Sequence, residues 1–359
     1  MPNHWMPSAR RRSIIDDHRG PHFMRVRPPI TFFGSKSKIA PLIIRNFPAH
    51  QTYVEPFAGS AAVLLAKEPS EVEVFNDPNA DLVNLFRVLR DPSLFCRLKI
   101  IAESTLYARA EFDLAGEPTS EPVERARRFL VRQRQSRGGL GRQWSFCRAD
   151  SKVNIASVVR RWRAGIERLP AIHERLKKVQ IEQADWRVII DRYDSAETLH
   201  YLDPPYLPSV RVGGAYEHEM TQEDHRKMVV RLLSVGGMVV LSGYENDVYA
   251  PLENAGWVRK SYETPAYSSD TRTRRVESLW LSPSVVRRLR TPGQTPSDLM
   301  REGAFTTHRA RTSATETKVK GVIKRMRSRG EAINISVVAA KAGMSREHLS
   351  RRYNYLFPA

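Results

Sequence analysis

Short apolar bursts end in polar or glycine-bearing turns along most of the chain, and between them apolar residues recur at helical spacing. The bursts are Tyr53-Val54-Glu55, Val72–Phe75, Val179–Trp186, Thr198–Leu202, Gly237–Tyr244, Trp257–Thr264 and Val276–Leu281. Each reads as a strand, the last two as a closing hairpin. Helical spacing predicts helices over Ile39–Phe47, Ala61–Ala66, Ala80–Leu89 and Gln222–Ser234. About seven strands with helices between them predict a doubly wound, mostly parallel α/β sheet.

Between Pro92 and Pro170 the strand pattern vanishes, and helices are expected at Pro122–Arg137 and Ile155–Leu169. They flank a glycine-rich piece, Gly138-Gly139-Leu140-Gly141-Arg142-Gln143-Trp144. The sheet domain therefore comprises residues 28–91 and 179–283, interrupted by a helical insert at 92–178. Residues 1–27 lack periodicity and read as a disordered arm, and residues 284–315, rich in Arg, Thr, Ser and Pro, as a linker. In the last module, 316–359, an alanine-rich helix, a turn glycine at Gly343 and the apolar Leu349 have helix-turn-helix spacing. Arg346 and Arg351 are its candidates for facing a DNA groove, and a plain helical hairpin is the alternative.

The fourth burst runs into Asp203-Pro204-Pro205-Tyr206. Two prolines cannot continue a ladder, so the strand must stop at Asp203 and turn rigidly. A carboxylate, backbone carbonyls and an aromatic ring then stand at a strand's carboxyl end, where open α/β sheets bind ligands. Asp203 and the Pro204 carbonyl can accept both hydrogens of an exocyclic amine while Tyr206 stacks on its ring. No strong base is needed: the nitrogen attacks an electrophilic methyl, and the protein supplies position and dipoles. A strand ending in a polyproline turn with a capping Asp is the structural alternative.

Four further turns carry candidate binding residues. Gly34-Ser35-Lys36 can seat a carboxylate at a helix entrance or simply begin a capped helix. In Glu55-Pro56-Phe57-Ala58-Gly59-Ser60 the glycine admits a ligand close to backbone, but no dinucleotide or phosphate-loop glycine pattern is present. Asp77 ends the second strand, placed to accept ribose hydroxyls or to cap a helix, and Asp185 ends the third, placed to bond the amine of an adenine.

Charge sharpens the division. The 359 residues carry a formal charge of +19. Sixteen Lys/Arg against three Asp/Glu lie in residues 125–178, and sixteen against five in residues 281–359, so the rest of the chain is slightly acidic. Two basic blocks on a near-neutral core point to two nucleic-acid contacts. In the first, Arg134, Arg137 and Arg142 interleave with Trp144, a mixture suited to phosphate contacts, guanine reading and stacking. Cys96 and Cys147 are the only cysteines and form no zinc-type cluster, so no metal is expected. With no apolar run long enough for a membrane span, a cytoplasmic location is expected.

The ordered set Phe-Phe-Gly-Ser-Lys at 32–36, Glu-Pro-Phe-Ala-Gly-Ser at 55–60, Asn-Asp-Pro-Asn at 76–79, Asp185 and Asp-Pro-Pro-Tyr at 203–206 resembles the Dam-like DNA adenine-N6 methyltransferases. The motif order resembles the family's α arrangement, with the recognition insert between the glycine motif and Asp-Pro-Pro-Tyr. The resemblance implies a Rossmann-like fold, S-adenosyl-L-methionine as cofactor and adenine in double-stranded DNA as target. It implies that Phe32, Gly34 and Lys36 lie at the methionine end of the cofactor, Glu55, Phe57 and Gly59 along its flank, Asp77 on its ribose and Asp185 near its adenine. Asp203, Pro204, Pro205 and Tyr206 then meet the target base. Phe32 stands where relatives commonly have tryptophan, and Ser35 where they have a second glycine. A cognate restriction endonuclease, or none as in phage-type members, is equally compatible. The tetrapeptide itself also admits cytosine N4 as target, and the tail admits a DNA-binding regulator that uses the core as scaffold.

Overall fold

The computed structural model describes residues 26–148, 155–207, 219–264 and 275–290, and in the C-terminal segment 319–323, 325–326, 328, 331, 333–344 and 346–347. Seven strands form one sheet: β1 (Thr52–Glu55), β2 (Val72–Asn76), β3 (Val179–Glu182), β4 (Thr198–Leu202), β5 (Met238–Gly243), β6 (Val258–Thr264) and β7 (Arg275–Leu281). Their order is β3-β2-β1-β4-β5-β7-β6. The first five run parallel, and β7 inserts antiparallel between β5 and β6.

Parallel strands covered on both faces read as continuous apolar runs, and β4 and β5 are buried at every position. One face carries Trp186, Ile190, Met228, Leu232, Leu252 and Trp280. The other holds a larger cluster that runs from Tyr53, Leu64 and Phe86 through Phe95, Leu130 and Trp162 to Ile172. The helices of the insert therefore share one core with the sheet rather than folding around a separate one.

Those helices are α4 (Pro92–Ser104), α5 (Arg109–Leu114), α6 (Pro122–Gln135), α7 (Ser157–Ile166) and α8 (Leu169–Leu176), after α1 (Ala40–Ile44), α2 (Ala62–Ala66) and α3 (Ala80–Arg90). Side-chain caps start several of them: Asn79 accepts from the Leu82 amide, Asp91 from Ser93 and Leu94, and Glu121 from Glu124. On the sheet's second face lie α9 (Trp186–Tyr193), α10 (Gln222–Leu232) and α11 (Ala250–Asn254), and α12 (Pro283–Leu289) follows β7.

Several expected boundaries move for local reasons. The third strand ends at Glu182, because Asp185 caps α9 and Trp186 begins it. The expected linker starts with α12, where Ser282 is the cap, Pro283 the first helical residue, and Val285 and Val286 are buried. Arginine-rich composition concealed that apolar pair. Val26, expected in a disordered arm, donates its amide to the Leu65 carbonyl at 3.2 Å and packs on the core. The remaining arm (1–25), the loop with Gly213 and Gly214 through His218, the linker from 291 to 315 and Arg351 lie outside the described residues.

In the C-terminal segment, Val319, Val322, Ile323 and Met326 pack with Val338, Ala339 and Ala342. Helix Ile335–Ala342 is capped by Asn334 and stopped by Gly343 at φ 64°, the left-handed value that glycine adopts without penalty. Among the described residues no helix is long and apolar enough to cross a membrane.

Candidate active site

The strand order reverses direction at β1 and β4, which are neighbours in the sheet although two strands intervene in the chain. At such a switch point the loops leaving the carboxyl ends part and leave a crevice. The cleft found there, about 730 Å³ with the solvent-open space at its mouth included, gathers Phe32, Gly34, Lys36, Glu55, Phe57, Gly59, Asp77 and Asp203. Four stretches separated by up to 171 positions in the chain thus form one site.

The loop after β1 is shaped by Gly59, whose φ of 49° suits a residue without Cβ; a Cβ there would lie 3.4 Å from the Phe32 ring. Asp77 holds this loop with both oxygens, Oδ2 accepting the Gly59 amide at 2.9 Å and Oδ1 the Asn79 amide at 3.0 Å. Asn76 beside it donates to the Pro56 carbonyl at 2.9 Å and the Ala184 carbonyl at 3.0 Å, and accepts the Ala184 amide at 2.9 Å. One asparagine therefore ties the ends of three strands. Glu55 accepts from the Tyr53 hydroxyl at 2.6 Å, and burial pushes its carboxyl up to about 8, so it is protonated at neutral pH.

Asp203 is where β4 stops. Burial raises its carboxyl to about 6, Lys36 pulls it down and Glu277 pushes it up. The Lys36 ammonium lies 2.8 Å from Asp203 Oδ1 and 3.7 Å from Glu277 Oε1, donates to the Gly34 carbonyl at 3.1 Å, and sits 4.6 Å from the centre of the Tyr206 ring. Lys36, expected at the methionine end, is in the structure the partner of the candidate catalytic carboxylate.

Tyr206 is buried, its hydroxyl donating to Glu277 and lying 3.3 Å from Ser242 Oγ, with Tyr244 edge-on at 4.7 Å. Buried in this way it is not among the cleft-lining residues, although it was expected to stack on a target ring. Pro205 gives its carbonyl to His225 Nε2 at 3.0 Å, and His225 Nδ1 meets the Tyr249 hydroxyl at 2.9 Å. Only an imidazole with its proton on Nε2 can donate to that carbonyl and accept from Tyr249, and burial keeps His225 neutral by lowering its pKa. His225 thus clamps the diproline turn, a packing role.

Asp185 is not among the cleft-lining residues. It accepts the Arg187 amide at 2.8 Å and pairs with the Arg187 guanidinium at 2.8 Å. Its neighbour Trp186 lies 6.2 Å from Phe57, ring centre to ring centre, so this loop flanks the cleft.

Of the insert's basic residues, Arg137 and Arg142 are exposed. They belong to a small knuckle closed by a bridge between Ser136 and Trp144, with the Arg137 amide donating to the Gln143 carbonyl at 2.8 Å. Trp144 is half-buried against Tyr107, with the Arg109 guanidinium 4.7 Å over its ring. Gly139 in the knuckle has φ 72°, and a Cβ would lie 2.6 Å from the Thr31 carbonyl, so the knuckle rests against the residue preceding Phe32. Arg134 does not face outward: it donates to the Pro29 carbonyl at 2.8 Å and the Arg161 carbonyl at 2.6 Å, and burial lowers its pKa to about 10. It fastens the Phe32 loop to α7. Arg346 is exposed.

Glu277, Ser242, Tyr201 and Asn76 escaped the sequence reading. For Glu277 a signal existed, a buried acid on a strand whose last three residues are apolar; its partners came from the loop after β4, from β5 and from the loop before α1, which no local pattern connects.

Residues 32–262 match the family described as D12 class N6 adenine-specific DNA methyltransferase. Among curated proteins, the type II methyltransferase M.MjaIII of Methanocaldococcus jannaschii is 27% identical over 212 residues, 52% of this chain and 71% of the relative. The type II methyltransferase M1.LlaDCHI of Lactococcus lactis subsp. cremoris is 26% identical over 239 residues, 61% of this chain and 81% of the relative. A solved structure described as a candidate RNA methyltransferase from Pyrococcus horikoshii aligns over 68% of this chain and 81% of that chain, with a TM-score of 0.30 and 7% identity, too distant to carry an argument.

Proposed function

Because the chain belongs to the D12 class of N6 adenine-specific DNA methyltransferases, we propose that it methylates N6 of adenine at one short site in double-stranded DNA, with S-adenosyl-L-methionine as donor and Asp203 at the target amine. The observation that carries this reading is the placement of Asp203 in the same switch-point cleft as the Gly59 loop and Asp77. The cleft suits such a donor. Aromatic walls from Phe32 and Phe57 favour a cationic, partly apolar molecule, and the carboxylates of Asp77 and Asp203 favour hydroxyls and positive charge.

When bound, the cofactor supplies an electrophilic methyl group. Asp203 accepts one N–H of the target amine and so orients the nitrogen lone pair away from itself. Its negative charge offsets the positive charge that develops on that nitrogen, and the proton finally leaves to solvent. The rigid diproline turn, clamped by His225, holds the acceptor still. Asp77 accepts from the ribose hydroxyls while its bond to the Gly59 amide holds the loop, and Asp185 meets the adenine only by giving up Arg187.

The exposed Arg137 and Arg142 beside the Phe32 loop are the contacts we assign to DNA in the insert, and the C-terminal segment with Arg346 is a second grip. Long-read modification sequencing of DNA from cells making the protein tests the reading. N6-methyladenine at one short motif, absent with Asp203→Ala, is the expected result; no modified adenine, or N4-methylcytosine instead, would refute it.

A further inference from the structure

Lys36 shares the carboxylate that the target amine must use. Its ammonium is 2.8 Å from Asp203 Oδ1, and its side chain is 8% exposed. An amine that takes over that oxygen leaves the lysine short of an acceptor, and a buried ammonium cannot simply be released into an apolar wall. A second seat lies behind the lysine: Glu277 Oε1, 3.7 Å away in a side chain that is 7% exposed.

We propose that Glu277 is a positioning residue that takes over Lys36 when the target amine engages Asp203. The proposal rests on the reading of Asp203 given above. A displacement of about 1 Å brings the ammonium from one carboxylate to the other, within the play of a lysine side chain. Glu277 is already aimed, since Oε1 accepts from the Tyr206 hydroxyl and from Ser242 Oγ at 2.7 Å. These donors come from the diproline loop and from β5, so the receiving carboxylate is fixed by the same elements that fix Asp203.

The charge balance of the cleft points the same way. Lys36 and Asp203 alone are neutral together, and a neutral pair does little for a nitrogen becoming positive. With Glu277 the trio carries one negative charge, which remains when the lysine moves. The other groups facing Asp203 add none near neutrality: Tyr201, Tyr206 and Tyr249 have pKa values raised by burial, and Glu55 is held protonated by burial.

The test uses the full chain, measuring tritium transfer from labelled S-adenosyl-L-methionine to unmethylated plasmid DNA between pH 5 and 9. Glu277→Gln keeps an oxygen for Tyr206 and Ser242 and removes only the charge. It is expected to lower kcat roughly 10- to 100-fold, with cofactor binding by equilibrium dialysis unchanged. Removing the negative neighbour also moves the acidic limb of kcat/KM downward, whereas Lys36→Met, removing the positive one, moves it upward. Glu277→Asp, which keeps the charge, holds the limb near its wild-type position. The proposal is overturned if Glu277→Gln leaves turnover and limb unmoved, moves the limb in the same direction as Lys36→Met, or matches Glu277→Asp. Should Glu277→Gln fold poorly, Glu277→Asp against Lys36→Met decides, because a limb displaced in both alike assigns Glu277 no charge role. Failure of the underlying reading is separate, as the wild-type protein would then give no Asp203-dependent transfer.

Discussion

Two buried charge clusters against the same sheet show how differently the chain uses ionised groups. In the first, Glu73 on β2 accepts from Lys67 at 2.8 Å and from Arg175, which also donates to the Leu64 carbonyl at 2.8 Å. None of the three side chains is more than 4% exposed. Lys67 has further acceptors in Ser70 Oγ and the Glu68 carbonyl. Two cations share one carboxylate, and the cluster is closed. In the second, Lys36 is shared by Asp203 and Glu277, and Asp203, 19% exposed, opens into the cleft. A closed cluster with matched partners holds α2, β2 and α8 together; one with surplus acceptor capacity can receive a ligand's donor.

The titration directions agree. Burial pushes Glu73 up, but Arg175 and Lys67 more than offset it and leave its carboxyl below the ordinary range. Asp203 stays raised, at about 6. The first group is built to be ionised, and the second is held close to its balance point.

The largest effect expected from this contrast is Asp203→Ala, which abolishes methyl transfer without loss of fold; activity and circular dichroism on the same preparation check it. Next comes Glu73→Gln, which strands two buried cations. It is expected to cost about 3–5 kcal/mol in urea unfolding while activity per folded molecule persists, and a cost below about 1 kcal/mol would dissolve the distinction.

A pH series separates the clusters by sign. Asp203 is protonated more readily folded than unfolded, so its contribution is complete below its ordinary value of 3.8 and is lost as pH rises to about 6. Glu73 behaves oppositely, stabilising above the ordinary carboxylate range and losing that effect as pH falls. Asp203→Asn should therefore remove a decline of about 2–3 kcal/mol between those pH values, and Glu73→Gln should flatten the acid loss. Thermal unfolding across that range and further into acid reads both.

The smallest effects lie in the insert. Arg142→Ala should lower the salt dependence of DNA binding by about one unit of slope and change stability by less than about 0.5 kcal/mol. Arg134→Met should do the reverse, costing about 1–3 kcal/mol through two carbonyls left without a donor while the slope stays put.

The exchange of roles between Arg134 and Arg142 shows what a one-dimensional reading misses. Both are arginines in one basic block, and nothing nearby in the chain says that the first turns inward to the Pro29 carbonyl. Asp185 misleads for a related reason: an acid after a strand is also a good helix cap, and the shorter β3 made it one. By contrast, the strands around Glu55, Asp77 and Asp203 were legible, because apolar runs ending in turn residues are local signals. So was the gathering of those residues in one cleft, since chain ends of neighbouring parallel strands share one edge of the sheet.

Apolar periodicity and turn chemistry by themselves determined seven strands, the point where β4 must stop, and which carboxylates stand at strand ends. Those depend on neighbours a few residues away. Only the tertiary structure decided that Lys36 belongs to Asp203, that Tyr206 faces Glu277 and that His225 clamps Pro205. Each of these joins groups from 20 to 167 positions apart through burial and distance, and electrostatic coupling follows separation in space, not along the chain.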